Sequence, residues 1–241
     1  MPTDTEQSFV IPFGTANPEK ALAVASHDGR PANVVSIDAN DKEPLRLHHG
    51  PYDFRATPGL GTASDTETRL KLLRDHLHAL CDLWQKAQHG FIDAYFGFIN
   101  GALEHGQNAL TTELADYSGL YNYRDWAFSA LRPLPRAQIP TNDGSFIAID
   151  FAFWTRSGLI TIDLTGVQTP TKSRRKQLAT LAQNGVKIID VESAHLADDG
   201  AAYLETLLPD PFHHFWQGEV LPKSPFKPNI MNAAADGGVR F

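Results

Sequence analysis

From Asp65 to Trp84 the apolar residues Leu70, Leu73, Leu77, Leu80, Cys81 and Trp84 recur at steps of three and four. That spacing predicts an amphipathic helix with one buried stripe. A second helix is expected from about Lys86 to Glu104, where Phe91, Tyr95, Phe98 and Ala102 share a face. Gly97 and Gly101 weaken it but let another element approach closely. Shorter helices are expected at Thr111 to Tyr117 and at Tyr123 to Leu131. The period then changes. Pro133, Pro135 and Pro140 punctuate an edge-like strand, and Asn142-Asp143-Gly144 supplies turn chemistry. Phe146 to Phe153 and Leu159 to Leu164 are β-branched and aromatic runs joined by Arg156-Ser157-Gly158, which predicts a hairpin. Thr169 and Pro170 suit the start of a helix that ends at Asn184-Gly185, and Val186 to Val191 returns as a strand. A strand, helix, strand order with so short a crossover makes the last strand parallel to its hairpin neighbour, so the sheet is expected to be mixed. A further helix is expected from Asp199 to Leu207.

Outside this region the pattern is weaker. Residues 1–60 read as strands and turns, with Ala21 to Ala25 and Asn33 to Ile37 flanking a His27-Asp28-Gly29-Arg30-Pro31 turn as a hairpin. Prolines 209, 211, 222, 225 and 228 break regular structure in residues 209–241, a tail in which Phe212, Phe215 and Trp216 either stack on bases or pin the segment to the core. The expected organisation is an N-terminal extension over 1–60, an α/β core over 61–208 with a helical insertion at about 86–131, and a Pro-rich tail over 209–241.

Composition narrows the function classes. A chain of 241 residues with 42% apolar content can bury one ordinary core. The formal charge of −7 argues against coating nucleic acid by general electrostatics, so any such contact must be local. The single cysteine, Cys81, cannot form an internal disulfide and reads as a small buried hydrophobe in a reducing compartment. With no signal-peptide pattern in Met-Pro-Thr-Asp-Thr-Glu-Gln and no long apolar span, a cytoplasmic location away from membranes is expected. The adjacent pairs His48-His49 and His213-His214, and His76 with His78, lack zinc spacing. No Gly-x-Ser-x-Gly elbow, phosphate-binding Gly-rich loop or dinucleotide fingerprint is present.

Two aspartates carry the chemistry. Asp150 and Asp163 interrupt the apolar runs Phe-Ile-Ala-Ile-Asp-Phe-Ala-Phe and Leu-Ile-Thr-Ile-Asp-Leu, where an uncompensated charge costs several kcal/mol. A hairpin can bring both to one end, and such paired oxygen ligands suit Mg²⁺ or Mn²⁺. Strand-end aspartates also cap turns or face solvent. Basic residues Lys172, Arg174, Arg175 and Lys176 crowd the first turns of the following helix, where the dipole disfavours cations unless an anion arrives. They are either a phosphate contact or a solvated face.

The run Asp150-Phe151-Ala152-Phe153, then Leu159 to Gly166, a basic helix and Asn184-Gly185-Val186-Lys187-Ile188-Ile189 resembles the PD-(D/E)XK, or restriction-endonuclease-like, nuclease superfamily. It is most similar to the small branch that includes very-short-patch repair endonucleases and transposase nuclease subunits. In that branch a helix with an early glutamate precedes the strands, as does Ser64-Asp65-Thr66-Glu67 here. The resemblance implies a mixed sheet flanked by helices, Mg²⁺-dependent hydrolysis of phosphodiesters, most simply in DNA, and Glu67, Asp150 and Asp163 as acidic site residues. Ser64 and Glu67 are also spaced as a capping box, which needs no catalytic role. The motif lysine is replaced by Thr165. Lys172, Arg174 or Arg175 could supply the missing cation, or Gln168 could position water; failing these, the fold serves as a nucleic-acid-binding or assembly module. A homodimer or larger complex is consistent with cutting two strands.

Overall fold

The computed structural model describes residues 8–28, 33–38, 43–48, 65–166, 170–218 and 221–222. Strand β1 (Ser8–Pro12) pairs antiparallel with β2 (Val34–Asp38), and helix α1 (Pro18–Asp28) lies between them. Ala21 to Ala25 is therefore helical and not one arm of a hairpin. The reason is local: the Asn17 side chain accepts from the Lys20 N–H at 2.9 Å, capping a helix that opens on Pro18.

Helix α2 (Thr66–Leu80) buries Leu70, Leu73, Leu77 and Leu80. It stops at Cys81, which turns extended at φ −74° and ψ 165°, so Trp84 leaves the stripe and stands 91% exposed. The N-cap is Asp65, whose carboxylate accepts from Thr68 N–H; Ser64, the first member of the expected capping box, lies outside the described residues. Helix α3 (Lys86–Glu113) absorbs the expected break and runs 28 residues, followed by 3-10 turns at Ala115–Tyr117 and Tyr123–Ser129.

The main sheet has four strands in the order β3 (Leu134–Pro140), β4 (Phe146–Thr155), β5 (Gly158–Thr165) and β6 (Lys187–Glu192). The first three are antiparallel neighbours and β6 runs parallel to β5, so the sheet is mixed. Helix α4 (Lys172–Gln183) makes the crossover; its cap is Thr171, which accepts from Arg174 N–H, rather than Thr169. It ends at Asn184, and Gly185 takes φ +79°, the left-handed turn that glycine permits.

Helix α3 packs on the sheet through aromatic rings: Phe91 stacks on Phe151 with ring centroids 4.5 Å apart, and Tyr95 meets Phe153 edge-on at 5.5 Å. Burying each such ring contributes about 1.5–3 kcal/mol. Helix α5 (Gly200–Leu207) lies against α3 at close range. A Cβ on Gly97 would come within 3.2 Å of Ala201 Cβ, and one on Gly200 within 2.7 Å of Ala94 Cβ. The expected role of Gly97 in close approach holds, whereas Gly101 faces open space. Phe212 in α6 (Asp210–His213) and Phe215 just after it are buried, so these tail aromatics act as anchors. No helix among the described residues is long and apolar enough to cross a membrane.

Candidate functional site

The β4–β5 ladder pairs Phe151 with Ile162 through Thr155 with Gly158, and stops there. Asp150 and Asp163 are the first residues beyond the last pair, one on each strand, so they face each other where the strands fork. Asp150 fills the fork. Its Oδ2 accepts from Leu164 N–H at 2.9 Å, and its Oδ1 accepts from Gln88 Nε2–H at 2.8 Å. Gln88 sits in the first turn of α3 and its own Oε1 accepts from Asp82 N–H at 2.9 Å, which ties the α2–α3 turn to the site. Burial raises the Asp150 carboxyl above its ordinary value; the Gln88 and Leu164 donors oppose this, Asp163's charge adds to it and Arg174 offsets it.

Asp163 is only 5% exposed. Its Oδ1 accepts from both Nε and Nη2 of Arg174, whose Nη1 donates to Ala148 C=O at 2.7 Å. The Thr171 cap and the start of α4 aim this side chain back across the sheet. Asp163 Oδ2 has no donor among the described residues. On β6, Asp190 stands directly opposite Asp163, and burial followed by Asp163's charge raises its carboxyl above the ordinary range. A row of three carboxylates thus crosses three strands, with one arginine laid over its centre.

The other predicted residues are placed differently. Glu67 is 83% exposed at the N-terminal end of α2 and faces Arg124 at 3.6 Å. Fourteen helical steps of about 1.5 Å put it about 20 Å along α2 from Cys81, the end near Asp150. The structure therefore does not bring Glu67 to the pair; Thr66, not Glu67, takes the buried position. Thr165 donates its hydroxyl to Val191 C=O at 3.3 Å, which ties it to β6. Lys172, Arg175 and Lys176 are exposed on α4 and do not reach the carboxylates, while Arg174 does. Gln168 and Thr169 lie outside the described residues.

Gln88 and Asp190 were not singled out from the sequence. Asp190 carried the same signal as the other two, an acid inside the apolar run Ile188-Ile189-Asp190-Val191. Gln88 carried none, because only the tertiary fold brings its amide to Asp150.

No family model, curated protein or solved structure matches the chain. Nor do the described residues assemble three or more His, Cys, Asp or Glu side chains as a metal cage. The donor set that fits a cation here is the Asp150 and Asp163 pair. Each carboxylate retains lone pairs, since an ionised carboxylate offers about four acceptor positions. Two carboxylates suit Mg²⁺, which keeps several waters and uses substrate oxygens to complete its octahedron.

Proposed function

We propose that this chain is a divalent-metal-dependent nuclease that hydrolyses phosphodiester bonds in DNA, with Asp150 and Asp163 holding Mg²⁺ or Mn²⁺. The observation that carries the reading is the meeting of these two carboxylates at the strand fork, one with an open oxygen and the other held by two donors. The resemblance read from the sequence supports it. So does the element order: a helix, strands bearing the two acids, a basic helix, and a parallel strand.

A bound cation would lower the pKa of a coordinated water and offset charge on the phosphate. Gln88 and Leu164 N–H hold Asp150 in one orientation. Arg174 takes the place of the motif lysine that Thr165 lacks, its guanidinium moving from Asp163 onto a phosphate oxygen, which it matches in fork geometry. Exposed Lys172, Arg175 and Lys176 contact neighbouring phosphates. A second reading, a metal-free nucleic-acid-binding or assembly module, is favoured by the Arg174 ion pair, which already neutralises Asp163.

Cleavage of supercoiled plasmid and of short single-stranded and duplex DNA with Mg²⁺ or Mn²⁺ tests the first reading. Metal-dependent cutting by the wild type, lost in Asp150→Ala and Asp163→Ala, is the expected result. Folded protein that cuts nothing and shows no metal affinity supports the second.

A further inference from the structure

Across from Asp150, on the neighbouring strand β3, stands an arginine that the proposed chemistry does not use. Strand β3 pairs Pro135 with Phe151 and Ala137 with Ile149, which puts Arg136 in register with Asp150 on the neighbouring strand. Arg136 has φ +49°, in the left-handed region where a Cβ is penalised and glycine is not. Regular pairing on both sides holds it there. The side chain is partly buried and makes no hydrogen bond or ion pair with any described residue. A strained backbone that presents an unpartnered guanidinium gains nothing for the fold, and strain of this kind gathers at functional sites.

A second feature is tied to Asp150 through Gln88. Cys81 ends α2, and its thiol is pushed up to about 12 by burial, with Arg136 drawing it down and Asp150 adding to the rise. Gln88 clamps the α2–α3 turn onto Asp150, and Trp84 N–H donates to Asp82 Oδ1 at 3.0 Å within it. The turn thus holds the Trp84 indole in solvent at 91% exposure, next to Leu83 at 80%.

We propose that Arg136 and Trp84 form a seat for single-stranded nucleic acid beside Asp150, with Arg136 taking a backbone phosphate and Trp84 stacking on a base. The inference rests on the nucleic-acid reading of the Asp150 and Asp163 site and names the form of substrate it takes. An indole stacks on any base whose face is free, and a duplex covers both faces of each base. The arginine answers the phosphate charge in a chain whose net charge is otherwise −7.

The test is anisotropy of a labelled oligothymidylate and of a labelled duplex, measured in EDTA so that hydrolysis plays no part. Wild type is expected to prefer the single strand, and Arg136→Gln and Trp84→Ala are each expected to weaken it by about tenfold. Arg136→Gly is expected to lose the same affinity while melting at a higher temperature, because glycine relieves the positive φ. Trp84 is almost wholly exposed, so its alanine variant should fold as the wild type does. Unchanged affinity in Arg136→Gln and Trp84→Ala, or no binding by the wild type, overturns the proposal. Metal-dependent cutting with Arg136-independent binding sinks this inference and leaves the nuclease reading standing. Arg136-dependent binding without cutting by any metal does the reverse.

Discussion

Replacing Arg174 by methionine removes the guanidinium from Asp163 while keeping much of the side chain's length. Asp163 is 5% exposed, and the substitution leaves its carboxylate without a described donor. Breaking a fully buried ion pair costs about 3–5 kcal/mol. Arg174 is itself 24% exposed, so water enters the gap and the expected loss is smaller, about 2–3 kcal/mol. Loss of the donor to Ala148 C=O adds about 1 kcal/mol. The same change vacates Asp163 for a cation, and Mn²⁺ at a hundred times its Kd returns about 2.7 kcal/mol. Urea denaturation of wild type, Arg174→Met, Asp163→Asn and the double variant, with EDTA and with Mn²⁺, reads all of this. The double variant, which buries no charge, should lose less than Arg174→Met alone. A single-variant loss within about 0.5 kcal/mol of wild type refutes the ion pair. Equal stabilisation of wild type and Arg174→Met by Mn²⁺ refutes the competition between arginine and metal.

Two further predictions follow from the geometry. Asp150's folded-state pKa is raised, so its contribution to stability is full below the unfolded value of about 3.8 and is lost as pH rises through the folded value. Metal binding runs the other way, because it needs the ionised form; denaturation curves in EDTA and in Mn²⁺ between about pH 4 and 7 should therefore diverge as pH rises. Parallel curves would rule out Asp150 as a ligand. Gly200→Ala forces a Cβ to 2.7 Å from Ala94 Cβ and should lower stability by about 1–3 kcal/mol in chemical denaturation, with no loss if α5 can slide away.

The strands were legible because β-branched and aromatic runs with turn residues between them leave few alternatives, and the parallel placement of β6 followed from its short crossover. Asp150 and Asp163 were legible for a related reason: charge inside an apolar strand asks for compensation. Other features depended on information that no local pattern contains. The run Ala21 to Ala25 is too short for period to distinguish helix from strand, and the cap at Asn17 decided it. Trp84 was assigned to the buried stripe of α2 and Glu67 to the acidic site, yet the helix stops before Trp84 and Glu67 points outward beside Arg124. Arg136 reads as an ordinary strand residue, since a positive φ at a non-glycine position leaves no mark in sequence.

The two borders of the main sheet limit how this protein meets other chains. β3 borders one side, where Pro135 and Pro140 lack donors and Pro135 C=O already accepts from Gly14 N–H at 2.7 Å. β6 borders the other, with Lys187, Asp190 and Glu192 exposed along it. Missing donors and interspersed charge both discourage an incoming strand from extending the hydrogen-bond ladder. Self-association through continuous β-structure is thereby opposed, and so is edge-to-edge aggregation. A second copy of the chain would have to dock through helices or turns, where its contacts are made by side chains.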